Sequence, residues 1–140
     1  MSKGQGPGAV TTRARAKLDF VASPSINNCG KATPLPLMIK IVQVADPAVM
    51  AGTTQERLWN HERVLLNPLT EPDTLTLSPG GRRKFEVRLV RGAKAVVVLG
   101  GFCMTDPKRP TWFHLEPWKG SGNLAITLRA DATCFTVSKR

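Results

Sequence analysis

Apolar and polar residues alternate with a period of two along much of this chain, which is the pattern of half-buried β-strands. The alternating segments are residues 17–22, 74–77, 85–89, 124–128 and 133–137. Turn sequences rich in glycine, proline and asparagine separate them. Together with the fully apolar segments described next, they predict seven or eight short strands. The predicted fold class is therefore all-β, a two-sheet β-sandwich.

Two further segments are apolar on both faces of a strand. Residues 37–44 are rich in β-branched side chains, and residues 95–103 form a long apolar run with Gly100 and Gly101 near its end. Strands of this kind lie inside a sheet or beneath a covering segment. The paired glycines indicate a bulge or a close backbone contact.

A short helical insertion is predicted at about residues 46–67. Asp46 and Pro47 are a typical start signal, and residues 53–56 (Thr-Thr-Gln-Glu) have the spacing of a capping box. Asn67 and Pro68 end the segment. We expect two short helices or turns packed against the sandwich.

The length of 140 residues fits one domain with one hydrophobic core. Residues 1–16 have no apolar period and predict a flexible leader or tether, followed by the sandwich domain at 17–140. No apolar signal-peptide core occurs in residues 1–8. The chain is thus either cytosolic or has a targeting segment outside this sequence.

The net charge is +10, which indicates an anionic partner such as nucleic acid, a lipid surface or an acidic protein. Nucleic acid is disfavoured, because the cations are spread along the chain and the three Trp and five Phe do not alternate with Arg or Lys. The one tight basic run is residues 82–84, in an apparent hairpin turn. Trp59, Trp112 and Trp118 are possible interface anchors, with Trp118 expected to be the most exposed.

Nothing in the sequence builds an active site. Cys29, Cys103 and Cys134 are the possible nucleophiles and His61 and His114 the possible bases, but no spacing brings a pair together. Cys103 and Cys134 lie in strand patterns and are expected to be buried, whereas Cys29 lies in a loop. In an oxidising compartment one disulfide can form, and spacing does not say which.

Metal and cofactor motifs are also lacking. His61 and Glu62 resemble half of a zinc-protease motif, but the position of the second histidine is Leu65. The glycine pairs lack the Lys-Ser/Thr of a phosphate-binding loop. We therefore predict no enzyme activity, no cofactor, no metal site and no small-molecule substrate.

The order of several segments resembles the TssJ (SciN) family, the outer-membrane lipoproteins of the bacterial type VI secretion system. The likeness runs over roughly residues 17–138. Its main features are "ASPSINN" at 22–28, "PLPLMIKIVQV" at 34–44, "LTLSPG" at 75–80, the apolar strand at 96–102 and "NLAITL" at 123–128.

The resemblance implies a transthyretin-like β-sandwich on the periplasmic face of the outer membrane, held by a lipid anchor upstream of this sequence. It implies a structural subunit of the secretion membrane complex that binds the periplasmic C-terminal region of TssM. The loop between the first two strands, about residues 23–36, would make that contact. The partner-binding residues expected are Ser25, Ile26, Asn27, Asn28, Cys29 and Lys31.

Two alternatives stay open. Asn27 and Asn28 can also simply form the turn, with their side chains bonded to nearby backbone. The chain can also be another periplasmic or extracellular β-sandwich binding module, because fold does not fix function.

Overall fold

Eight strands make up two sheets in a computed structural model of the chain, which describes residues 10–29, 31–103 and 112–139. The strands are β1 (Thr11–Ala22), β2 (Leu37–Val44), β3 (Asp73–Leu77), β4 (Arg82–Val90), β5 (Ala95–Gly100), β6 (Phe113–Pro117), β7 (Leu124–Ala130) and β8 (Phe135–Lys139). A 3₁₀ turn (Pro47–Met50) and the helices α1 (Gln55–Leu58) and α2 (Glu62–Leu65) lie between β2 and β3. The predicted sandwich with a helical insertion is confirmed.

Each sheet has four strands. The first sheet has the order β4-β1-β7-β8, with β1 and β7 parallel and the other neighbours antiparallel. The second has the order β3-β2-β5-β6 and is antiparallel throughout. The predicted strand at 37–44 coincides with β2.

The core lies between the two sheets and follows from the alternation. In β1 the even-numbered side chains from Ala16 to Ala22 are buried and face the second sheet, and Leu18 and Phe20 are almost wholly enclosed. Removing a leucine- or phenylalanine-sized side chain from water contributes about 1.5–3 kcal/mol. Every residue of β5 is buried, as expected for a strand covered on both faces.

One buried polar side chain joins the two sheets. Gln43 of β2 is 3% exposed, and its amide donates to the Arg88 carbonyl and accepts from the Val90 N–H of β4, both at 2.9 Å. The Gln43 side chain therefore supplies β4 with the two hydrogen bonds that a neighbouring strand would otherwise make. Without it, both main-chain groups would lose their partner.

The insertion covers the outer face of the second sheet. Thr54 caps α1, since its side chain accepts a hydrogen bond from the Arg57 N–H at 3.2 Å. The N-cap therefore lies one residue later than the predicted capping box places it. The Thr53 hydroxyl is buried without a hydrogen-bond partner. Leu58 and Leu66 are buried against the sheet. No helix among the described residues is long and apolar enough to cross a membrane.

A partly buried ion pair fixes the insertion to the sheet. Lys40 of β2 donates to Glu62 at 3.2 Å and to the Trp59 carbonyl at 2.8 Å, and its ammonium lies 4.5 Å from the Trp59 ring centroid. The Lys40 and Glu62 side chains are only 13% and 12% exposed. The insertion lies so close to the segment after β5 that a Cβ atom at Gly101 would be 2.9 Å from the Trp59 ring. This is the close backbone contact that the paired glycines predicted.

Some predicted boundaries are wrong. β1 begins at Thr11, so residues 11–16 belong to the first sheet and not to a leader, because the small side chains of Thr12, Ala14 and Ala16 supply the inward positions. The turn at 78–81 is not a hairpin, since it leads from β3 in one sheet to β4 in the other. Residues 82–84 lie in β4 and not in that turn. The first nine residues of the expected leader fall outside the described residues.

Candidate functional site

The β1–β2 loop, residues 23–36, is attached to the ends of several strands. Its first amide, on Ser23, donates to the Ala130 carbonyl at 2.9 Å, and the Leu35 N–H donates to the Ile26 carbonyl at 3.2 Å. The Ile26 side chain is fully buried in the core. Ile26 therefore fixes the loop from below, and its side chain is not available to a partner.

Asn27 ties three parts of the protein together. Its side chain is buried, its amide donates to the Pro36 carbonyl at 3.0 Å, and its carbonyl oxygen accepts the Cys103 N–H at 2.6 Å. Its backbone has a φ of 50°, a left-handed conformation that asparagine adopts more readily than most residues. Its own N–H donates to the Asp131 carbonyl at 3.3 Å.

A disulfide between Cys29 and Cys103 makes the same link covalent. The Cα atoms are 5.2 Å apart, and 74 residues separate the two cysteines in sequence. It joins the β1–β2 loop to the segment after β5. The expectation that Cys103 is a buried strand residue is wrong, because β5 ends at Gly100 and Cys103 is exposed beyond it. Cys134 is the free, buried thiol of the described residues.

The other four predicted partner residues lie on the outward surface of the loop. Ser25 and Lys31 are exposed, and Asn28 and Cys29 are half-exposed. The Lys31 N–H donates to the Asn28 carbonyl at 2.8 Å, which closes a turn in this surface. Of the six predicted partner residues, four therefore reach the surface, and Ile26 and Asn27 hold the backbone that presents them.

Sequence reasoning missed two apolar members of this surface. Leu35 is 43% exposed at the end of the loop, and Met38 is 49% exposed at the start of β2. Methionine is enriched in protein interfaces, and apolar surface that a partner covers contributes to affinity. The signal was in the sequence, since Met38 falls on the face of β2 opposite Leu37 and Ile39.

A shallow depression lies beyond Met38. Residues of α1 and of the segment after β5 line it, and its volume is about 260 Å³; they are Gln55, Glu56, Trp59, Asn60, Gly101 and Phe102. Gln55 donates to the Gly100 carbonyl at 2.6 Å and so fixes one wall.

The titratable and nucleophilic side chains are dispersed. His114 lies 2.9 Å from Glu116 at the edge strand β6, and His61 is exposed at the start of α2 without a capping bond. Cys29 and Cys103 are held in the disulfide. Across 10–29, 31–103 and 112–139, no three His, Cys, Asp or Glu residues converge on a metal position.

Trp118 is not the exposed anchor that the sequence indicated. It is 6% exposed, and its indole N–H donates to the Gly122 carbonyl at 2.9 Å. Trp112 is also buried, and Trp59 is partly buried between the insertion, to which it belongs, and Gly101. The turn at Gly120–Gly122 folds back over the indole of Trp118. The proline and lysine that flank Trp118 in sequence give no sign of this fold-back.

The chain is thus a two-sheet β-sandwich whose β1–β2 loop is held from inside and turns polar and apolar side chains outward. Residues 14–133 match the family of type VI secretion lipoproteins (T6SS-SciN, which includes VasD, EvfM and TssJ). The match covers most of the chain, so the chain belongs to this family. The resemblance drawn from its motifs is confirmed.

Solved structures share the fold. The crystal structure of the T6SS lipoprotein TssJ1 from Pseudomonas aeruginosa has a TM-score of 0.76 and 18% identity, covering 91% of this chain and 96% of that one. A chain in a structure described as the T6SS protein TssM C-terminal domain from EAEC has a TM-score of 0.77 and 20% identity, covering 90% and 98%. A chain in a structure described as a type VI membrane complex has a TM-score of 0.79 and 20% identity, covering 91% of this chain and 99% of that one. No curated protein sequence matches the chain.

Proposed function

We propose that this chain is the lipoprotein subunit of a type VI secretion membrane complex, held at the periplasmic face of the outer membrane by an N-terminal lipid. We further propose that its β1–β2 loop binds the periplasmic C-terminal region of TssM. The family is one of secretion lipoproteins. Chains of the same fold occur in structures described as the TssM C-terminal domain and as a type VI membrane complex, which supports both parts.

The observation that carries the proposal is the fixed shape of the β1–β2 loop. The Asn27 side chain donates one hydrogen bond to Pro36 and accepts one from Cys103, and these bonds hold the loop together with the Cys29–Cys103 disulfide. Binding a partner with a loop that is already ordered avoids an entropy cost of about 0.5–1.5 kcal/mol for each side chain immobilised. The loop is therefore suited to recognition, with Ser25, Asn28, Lys31 and Leu35 as its outward contacts.

The layout of β1 separates the two attachments. The chain enters β1 at Thr11, beside the end of β4, and leaves it at Ala22, where the β1–β2 loop begins. A strand of this length spans about 35–40 Å. A lipid on the N-terminal side and a protein partner at the loop can then act from opposite ends of the sandwich.

The test is titration calorimetry of the chain against the TssM C-terminal fragment. Ser25→Arg and Lys31→Glu alter the loop surface, while Ser121→Arg and Lys119→Glu make the same changes in the exposed turn after β6, at the other end of the sandwich. We expect a standard interface of about 1,200–2,000 Å². Each loop variant should weaken binding about tenfold or more, and the turn variants less than about twofold. Equal affinities across all four variants would remove the loop from the interface.

A further inference from the structure

The outer face of the first sheet carries a dense set of cations. Alternation turns the odd-numbered residues of β1 and the even-numbered residues of β4 away from the core. We call this surface the basic face. Its exposed members are Arg13, Arg15, Lys17, Arg82, Lys84, Arg88 and Arg129.

Carboxylates balance only part of this charge. In the described strands of the first sheet, the outward-facing acids are Asp19 and Glu86. Asp19 accepts two hydrogen bonds from Arg82, at 2.6 and 3.1 Å, and Glu86 accepts one from Arg15 at 2.7 Å. Asp131, directly after β7, lies 3.5 Å from Arg129. Seven cations against three acids still leave a positive surplus on one side of the molecule.

Fold stability explains only part of this cluster. Lys17 and Lys84 lie opposite Glu86 and Asp19 on the neighbouring strand, which is favourable. Arg15 and Arg88 lie directly opposite each other on neighbouring strands. Like charges in that position are destabilising. A sequence that keeps such a pair on an exposed face points to a use for the positive charge outside the molecule.

The opposite side of the sandwich is close to neutral. The insertion over the second sheet, residues 46–67, holds three carboxylates, two arginines and no lysine, and Glu62 among them pairs with Lys40 of β2. The charge is thus separated, with the positive surplus on one side. A molecule with this separation orients in the field of a charged surface.

We propose that the basic face lies against the anionic phospholipid headgroups of a bilayer. The proposal rests on the membrane anchoring proposed above, since β1 follows directly on the N-terminal segment and carries Arg13, Arg15 and Lys17. A lipid surface fits better than an acidic protein because the outward side chains between the cations are small or polar, such as Ala125 and Thr127. Stable protein interfaces instead have an apolar or aromatic centre.

The strength of such binding follows from the number of cations near the surface. Each Lys or Arg close to an anionic bilayer raises the partition coefficient about fivefold at moderate salt. Several act together on the basic face. The contact holds the sandwich on its side, with the insertion turned away from the lipid and the β1–β2 loop at the rim.

The experiment is sedimentation of the unlipidated chain with phosphatidylcholine vesicles, with and without phosphatidylglycerol. Lys17→Glu/Arg88→Glu reverses two charges on the basic face. Lys31→Glu/Arg57→Glu makes the same change in net charge on the loop and on α1. We expect binding only with phosphatidylglycerol, weakened by salt, and reduced about tenfold or more by the first pair but about twofold or less by the second.

Titration of the same variants with the TssM fragment separates this proposal from the preceding one. Lys17→Glu/Arg88→Glu should keep TssM binding, and Lys31→Glu/Arg57→Glu should weaken it about tenfold or more. Thermal unfolding checks that both variants are folded. Equal vesicle binding by the two variants would overturn the lipid proposal. Loss of TssM binding with unchanged vesicle binding in the first variant would also overturn it, and would assign the face to an acidic protein surface.

Discussion

Removing the Cys29–Cys103 disulfide tests how firmly the β1–β2 loop is tied to the rest of the sandwich. The bond closes a loop of 74 residues. In the chain-entropy model, cross-linking a loop of that length stabilises the folded state by about 4 kcal/mol. The entropy of unfolding is about 2.1 cal/mol/K per residue, so Cys29→Ala/Cys103→Ala should lower the Tm by about 10–15 °C.

The assay is thermal and urea unfolding of the double variant and of the parent chain under non-reducing conditions. The m-value should rise, because the unfolded chain without the cross-link exposes more surface. Cys134→Ala is the control, since it removes a buried thiol that forms no disulfide. It should cost about 1 kcal/mol. A Tm change in the double variant no larger than that of the control, or three free thiols in the oxidised parent chain, would refute the reasoning.

Three further substitutions test the core, the insertion and the pH response. Gln43→Leu leaves two main-chain groups of β4 unpaired in the core and should cost about 2–4 kcal/mol in urea unfolding. Lys40→Met leaves the largely enclosed Glu62 carboxylate without its cation and should cost about 2 kcal/mol, much of it restored in Lys40→Met/Glu62→Gln. Partial burial raises the pKa of Asp73, so its contribution to stability is present below its ordinary pKa and is lost as the pH rises through the raised value. Asp73→Asn should therefore gain stability relative to the parent at neutral pH, and the gain should vanish in acid unfolding.

Local periodicity was enough for most of the architecture. The bounds of β2 follow from a run of β-branched residues between a proline-rich loop and Asp46, and the alternation in β3, β4 and β7 identifies their buried sides. The start of β1 was missed because alanine and threonine fill its inward positions in place of large apolar residues. Small side chains are enough there to maintain a strand.

The site depends on contacts that are distant in sequence. Asn27 accepts from Cys103, 76 residues away, and Cys29 bonds to the same residue. No local pattern reports either contact. Ile26 and Asn27 lie in a predicted loop and were expected to contact a partner. They are buried instead, because the loop crosses the end of the core. The sequence thus located the loop that we propose as the partner site but not which of its side chains face outward.

Hydrogen exchange of the chain with and without the TssM C-terminal fragment tests the central claim most directly. The account predicts that the fragment slows exchange of the exposed amides in the β1–β2 loop and around Met38. The turn after β6, at the far end of the sandwich, should be unaffected. Protection confined to other elements, with the loop exchanging as fast as in the free chain, would contradict it.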